Sequence, residues 1–246
     1  MSQTIEDKMK LVLLAEKVKR YEDMSNYALS LVLTKSAMGS TLSEDERSKF
    51  SASFKGYIGE QRKSYLSVRD EIKKVEKSGR DASTEKQYLA KIGLRVNIIA
   101  DQVIKIVTNK LEPKANIGKE KVFYRKILAD YYRYKVEVAA EAQKSVLQAE
   151  AEKRYADAYS IAVSNLAVTD PLRLGLALNF GVFLYEIKGD RQAAIDTVQG
   201  AFEKALADLE SVAEESYADT TKVMQILKDN VDLWKSEADV GGFQDL

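Results

Sequence analysis

Residues 169–190, TDPLRLGLALNFGVFLYEIKGD, read as one complete helix with both ends marked. Thr169 and Asp170 supply polar capping side chains, and Pro171 suits the first helical position because it has no N–H to lose. Lys188-Gly189-Asp190 stops the segment. Between these signals Gly175, Leu178, Asn179, Val182 and Glu186 recur at helical spacing, so they share one face. The apolar run from Leu174 to Tyr185 is too short to cross a bilayer and carries Asn179 inside it.

The same period continues on both sides of this helix. Leu11, Leu14, Ala15 and Val18 form an N-terminal stripe, and a second segment runs from about Met24 to Ala37 and halts at Gly39. Ser43 with Glu46 three residues later is a capping box, which predicts a long helix to about Lys77. Ser78 to Ser83 is a loop, and the next helix is expected from about Thr84 to Leu111. Glu112-Pro113 through Gly118 interrupts the chain again; two helices follow at roughly 119–140 and 143–167. Beyond Asp190 another helix begins, and a last one runs from near Ser216 to just before Gly241-Gly242. No five-residue stretch alternates as a strand would. The reading is all-α: about nine antiparallel helices, joined by short loops, in one domain over 1–237. Residues 1–37 form its N-terminal part, and 238–246 is expected to be a short flexible tail.

Composition narrows the chemistry. The 246 residues are 45% hydrophobic and 31% charged, enough for a sizeable core without metal or disulfide support. Lys+Arg 38 balances Asp+Glu 38, so no bulk field recruits nucleic acid or a membrane. Cys 0 and His 0 remove thiol nucleophiles, Ser-His-Asp triads, Cys/His zinc sites and disulfides. An enzyme is therefore disfavoured, and no cofactor or metal is expected. The N-terminal MSQTIEDKMK lacks a secretory pattern, which suggests a cytoplasmic protein with nuclear access open.

Four side-chain rows are candidates for a site. Lys55, Gly59 and Arg62 place two cations around a residue without a side chain, leaving room for an anion. Lys126, Asp130, Arg133 and Glu137 share another face, with Tyr134 beside Arg133. That row is either a solvated face with i,i+4 ion pairs or a set of carboxylates pinning Arg133 for bidentate phosphate binding. The third row is the Asn179 stripe. The fourth is Val223, Ile226, Asn230 and Leu233, with Trp234 adjacent. An apolar stripe alone is ordinarily core, but an amide at its centre needs partners. Two such helices can hold an extended peptide by its backbone.

Three long stretches in these rows resemble one family. VFYRKILADYYRY (122–134), PLRLGLALNF (171–180) with its continuation to Ile187, and EESYADTTKVMQILKDNVDLW (214–234) are similar to the fifth, seventh and ninth helices of 14-3-3 proteins. A weaker likeness, SFKGYIGEQR (53–62), stands where the N-terminal signature is expected. The resemblance implies a dimeric adaptor of nine helices with an amphipathic groove for phosphoserine or phosphothreonine peptides of client proteins. It assigns Lys55, Arg62, Arg133 and Tyr134 to the phosphate, with Lys126 nearby, and Asn179 and Asn230 to the peptide backbone. Leu178, Val182, Val223, Ile226 and Leu233 would form the apolar side, with Glu186 and Trp234 as further polar contacts. At the dimer seam it implies Leu14, Val18, Tyr88 and Ile92 as apolar or aromatic contacts and an ion pair of Asp23 with Lys91 across subunits. Arg20 would face Arg95 without an acid, and pairing is with an identical copy or another isoform.

Several positions depart from the family pattern. Leu66 replaces a basic residue one turn beyond Arg62, Tyr65 replaces Trp, Gln61 replaces Arg, and Lys222 replaces a groove Leu. Leu66 and Lys222 favour an alternative: a 14-3-3-fold module with altered or phosphate-independent specificity. A tetratricopeptide-like array is disfavoured because no period near 34 residues appears.

Overall fold

Ser43 shows how local chemistry sets the helix boundaries. Its hydroxyl accepts from the Glu46 N–H at 3.2 Å while the Glu46 carboxylate accepts from the Ser43 N–H at 2.7 Å, the predicted capping box. Lys35 then donates to the same carboxylate at 2.5 Å, tying the end of one helix to the start of the next. Thr4 and Asp7 build a second capping box at the first helix.

The computed structural model describes residues 4–241, and side chains through Ser236. Its chain divides into two compact units: Met1–Ala115 with Val138–Ala140, and Asn116–Glu137 with Glu141–Leu246. The first unit holds α1 (Ile5–Lys17), α2 (Tyr21–Ala37), α3 (Glu44–Lys77) and α4 (Ser83–Ile106). Val12, Met24, Leu31, Phe50, Phe54, Ile58, Val96 and Val103 are buried there. The second unit holds α5 (Lys119–Glu137), α6 (Glu141–Asn165), α7 (Pro171–Phe183), α8 (Arg191–Ala207) and α9 (Glu214–Gly241). Its core joins Val122, Ala129, Tyr155, Leu176, Phe183, Val198, Leu227 and Trp234. No strand occurs among the described residues.

Three helix ends differ from the expected reading. The segment expected as helix to Leu111 closes in a π-helical turn, Val107–Leu111, followed by a 3-10 turn at Glu112–Lys114. α7 likewise ends in a π-helical turn, Leu184–Lys188, before Gly189 takes φ 69°. At the C-terminus α9 continues through Gly241, beyond the expected tail boundary; 242–246 lie outside the described residues.

The expected seam residues separate into two groups. Leu14, Val18, Tyr88 and Lys91 are exposed. Ile92, expected beside them, is 8% exposed and belongs to the core, because it falls on the α4 face that also buries Val96, Ile99 and Val103. Asp23, expected to reach a second chain, is engaged by Arg20 of its own chain. Arg95, expected to meet only Arg20, donates to Glu22 at 2.5 Å within the chain and lies over the Tyr57 ring. These are partly exposed charges, so each pair contributes little to stability.

Candidate functional site

The α5 charge row is buried at its centre, Asp130 and Arg133, and half-buried at its ends, Lys126 and Glu137. The helix itself buries Val122, Tyr124, Ile127, Leu128, Ala129, Tyr131 and Val136, so little of its circumference meets water. Asp130 is 7% exposed and Arg133 6%. Lys126 donates to Asp130 Oδ2 at 2.7 Å, and Arg133 Nη1 donates to Glu137 Oε1 at 3.1 Å. The guanidinium lies over the Tyr134 ring, 4.7 Å from its centre. Of the two readings of this row, carboxylates pinning an arginine is the one observed; the solvated face is not.

A tyrosine that sequence reasoning did not single out completes the network. Tyr155, fully buried on α6, donates to Asp130 Oδ1 at 2.6 Å and accepts from Arg133 Nε at 3.0 Å. Its neighbours on that face are Ala151, Ala158 and Ala162, all at 0% exposure. Such small residues let α6 approach α5 closely enough for the hydroxyl to reach both charges. The signal was present as an aromatic inside an alanine stripe at i, i+4, i+7 and i+11. Asn179 joins from α7, donating through Nδ2 to Asp130 Oδ1 at 2.8 Å. Asp130 is thus the hub shared by two cations, a phenol and an amide.

Burial pushes the Asp130 carboxyl up, but the Lys126 and Arg133 cations and the hydrogen bonds from Lys126 and Tyr155 outweigh it and hold it below its usual range. Burial likewise opposes the charge on Arg133, yet Tyr155, Tyr134, Asp130 and Glu137 keep it firmly cationic. Burial raises the Tyr155 phenol well above its ordinary value, as does Asp130, so it remains a donor. The result is a fixed positive group in a low-dielectric setting, suited to binding an anion and to no proton transfer near neutrality.

The remaining candidates in this unit divide. Leu178, Val182 and Val223 are half-buried against the core, whereas Ile226 is 41% and Leu233 53% exposed. Asn230 donates to the Ile226 carbonyl at 2.8 Å, so its own helix supplies the partner that its apolar stripe required. Gly175 faces Lys126, whose Cε lies 4.0 Å from where a Cβ would stand. Glu186 is exposed in the π-helical turn. Trp234, expected as a polar contact of a groove, lies in the core at 3% exposure. It stacks on Tyr185 with ring centres 4.9 Å apart, and Arg191 donates to its carbonyl. It shares the buried α9 face of Met224, Leu227 and Val231.

In the first unit Lys55 is exposed on α3 and makes no ion pair among the described residues. Nothing lies within 4 Å of a Cβ built on Gly59, so the space beside it is open. Arg62 is half-buried, Leu66 38% exposed, and Tyr65 packs 3.3 Å from the Cβ position of Gly93. Among the described residues no helix is long and apolar enough to cross a membrane, and no acidic cluster suits a metal ion.

A family model described as 14-3-3 protein matches residues 11–235. The chain is 38% identical over 237 residues to 14-3-3-like protein 1 of Caenorhabditis elegans, covering 96% of this chain and 94% of that one. It is 36% identical over 248 residues to Protein BMH2 of Saccharomyces cerevisiae, covering 100% and 89%. To 14-3-3 protein 3 of Entamoeba histolytica it is 37% identical over 239 residues, covering 96% and 98%. With the helical order, the signature stretches and the length of these matches in agreement, the chain belongs to the 14-3-3 family.

Proposed function

We propose that this chain is an adaptor that holds phosphoserine or phosphothreonine segments of client proteins, masking or bridging them without chemical change. Family membership supports phosphopeptide binding in general. The observation that carries the reading is Arg133, a buried arginine fixed by Glu137, Tyr155 and the Tyr134 ring. A phosphate brings about −1.5 to −2 charges and three acceptor oxygens, whereas serine is neutral. Hydrogen bonds to charged groups are worth about 1.5–3 kcal/mol each, enough for strong discrimination.

In this reading Arg133, Tyr134 and Lys126 serve the phosphate, and Lys55 and Arg62 enter on the family likeness. Asn179 and Asn230 serve the peptide backbone. Leu178, Val182, Val223, Ile226 and Leu233 meet its apolar side chains, and Glu186 its polar ones. Trp234 supports α9 from within. The test is fluorescence anisotropy with an Arg-Ser-x-pSer-x-Pro peptide and its unphosphorylated twin, on the wild type and Arg133→Ala. Binding of the phosphopeptide alone, lost in the variant, is expected; equal binding of both peptides would overturn the reading in favour of phosphate-independent recognition.

Lys222 favours a narrower specificity. It is exposed on α9 and has no ion-pair partner among the described residues, so it is available to an acidic side chain next to the phosphosite. A phosphopeptide array is expected to favour Asp or Glu there, and a flat response would refute it. We also propose that a second copy or another isoform covers Leu14, Val18 and Tyr88. Sedimentation velocity should show a dimer that weakens with Leu14→Asp; a concentration-independent monomer would contradict this. The proposed place of action is the cytoplasm, with nuclear access, which imaging of a tagged chain tests.

A further inference from the structure

The geometry points to Tyr155 as a positioning residue that fixes which edge of the Arg133 guanidinium is offered to a bound anion. This inference rests on the phosphopeptide reading above and deepens it. Arg133 has five N–H groups on three nitrogens. Tyr155 Oη takes Nε–H at 3.0 Å, and Glu137 takes one hydrogen of Nη1 at 3.1 Å. The Tyr134 ring covers one face. Nη2 stands 3.9 Å from Asp130 Oδ1, close enough for an ion pair and beyond hydrogen-bonding distance. The Nη1/Nη2 end therefore keeps N–H groups that no hydrogen bond among the described residues takes up, whereas the Nε side is closed.

The Tyr155 hydroxyl holds this arrangement from both directions. It accepts from the arginine and simultaneously donates to Asp130 at 2.6 Å, so it sets the separation between cation and carboxylate. Without that hydroxyl the guanidinium is free to close the last ångström onto Asp130 Oδ1, turning the present 3.9 Å ion pair into a hydrogen-bonded one. A hydrogen-bonded pair would take up an Nη2 hydrogen that the anion needs. The ring itself is locked by Phe180 and Phe183, both with centres 5.5 Å away, so the hydroxyl has a fixed address.

The experiment uses Tyr155→Phe, which keeps the ring and removes one oxygen, with Tyr159→Phe as a control that also touches Phe180. Phosphopeptide affinity is measured by anisotropy, and the Arg133 Nε–H resonance by ¹⁵N NMR. The expected result is a roughly ten-fold or greater loss of affinity in Tyr155→Phe, with Tyr159→Phe unchanged. The Nε–H signal, slow to exchange in the wild type, should become rapidly exchanging in Tyr155→Phe. Wild-type affinity in that variant would overturn the proposal, as would lost affinity with an unchanged Nε–H signal, which marks a merely structural role. Should Tyr155→Phe fail to fold, the wild-type signal decides: protected Nε–H supports the proposal and solvent-like exchange overturns it. A wild type that binds neither peptide would instead refute the phosphopeptide reading itself.

Discussion

Lys55, Gly59 and Arg62 on α3 occupy positions i, i+4 and i+7, and Lys126, Asp130 and Arg133 on α5 occupy the same three. On α3 the middle position is empty space and Lys55 stands in water. On α5 the middle position is a carboxylate 7% exposed, bonded to a lysine, a tyrosine and an asparagine. Spacing determines which residues share a helix face; the composition of the neighbouring helix determines the dielectric around them. The alanines flanking Tyr155 bring α6 against α5, and an arrangement that would contribute tenths of a kcal/mol in solvent becomes a rigid buried cluster.

Breaking the buried row should have the largest effect. Asp130→Ala leaves Lys126 and Arg133 without their shared anion, and a loss of about 3–5 kcal/mol is expected in urea unfolding. Lys55→Ala on the open row should remain within about 0.5 kcal/mol of wild type. A smaller loss for Asp130→Ala than for Lys55→Ala would invert the comparison.

Packing around α7 offers a second contrast. A Cβ at Gly181 would stand 2.2 Å from Val198 Cγ2 and 3.3 Å from Trp234, so Gly181→Ala is expected to cost about 1–3 kcal/mol, read as a lowered Tm. Unchanged Tm would mean that α8 yields freely there.

Acid should sharpen the difference between the rows. The Asp130 carboxyl titrates below its ordinary 3.8 in the folded state, so its contribution is fully present above that value. It is lost as pH falls through the lowered folded value. Urea titrations below pH 4 should show wild type losing more stability than Asp130→Asn, and parallel curves would contradict the assigned cause. A smaller effect, of opposite sign, is expected at Gly59. Gly59→Ala should stabilise α3 by about 0.5–1 kcal/mol, since no atom obstructs the new methyl, and circular dichroism melts would detect a destabilisation instead.

Much of the fold was legible because its helices announce their ends chemically. Ser43 with Glu46, Asp170 with Pro171, and Gly189 each mark a boundary by satisfying or terminating backbone hydrogen bonds. The π-helical turns were not legible, since Val107–Leu111 and Leu184–Lys188 keep helical periodicity while shifting their hydrogen-bond register. At the site, the α5 row was visible as a face, but its burial depended on residues of α6 distant in sequence. The burial of Trp234 and Ile92 was not legible for a related reason: each lies one position from an exposed stripe residue, Leu233 and Lys91, and about 100° of helix rotation separates core from surface. Asn179 and Asn230 carry the same amide in similar stripes, yet one joins a buried carboxylate and the other its own helix.

The central claim is that a planar guanidinium, locked from behind, confers phosphate dependence. Calorimetric titration of the phosphopeptide into Arg133→Lys tests it most directly, because the charge is kept while the fork and its Nε bond to Tyr155 are lost. The account predicts an affinity reduced by about ten- to a hundred-fold, the worth of one charge-assisted hydrogen bond. Wild-type affinity in Arg133→Lys would contradict it, showing that positive charge alone suffices.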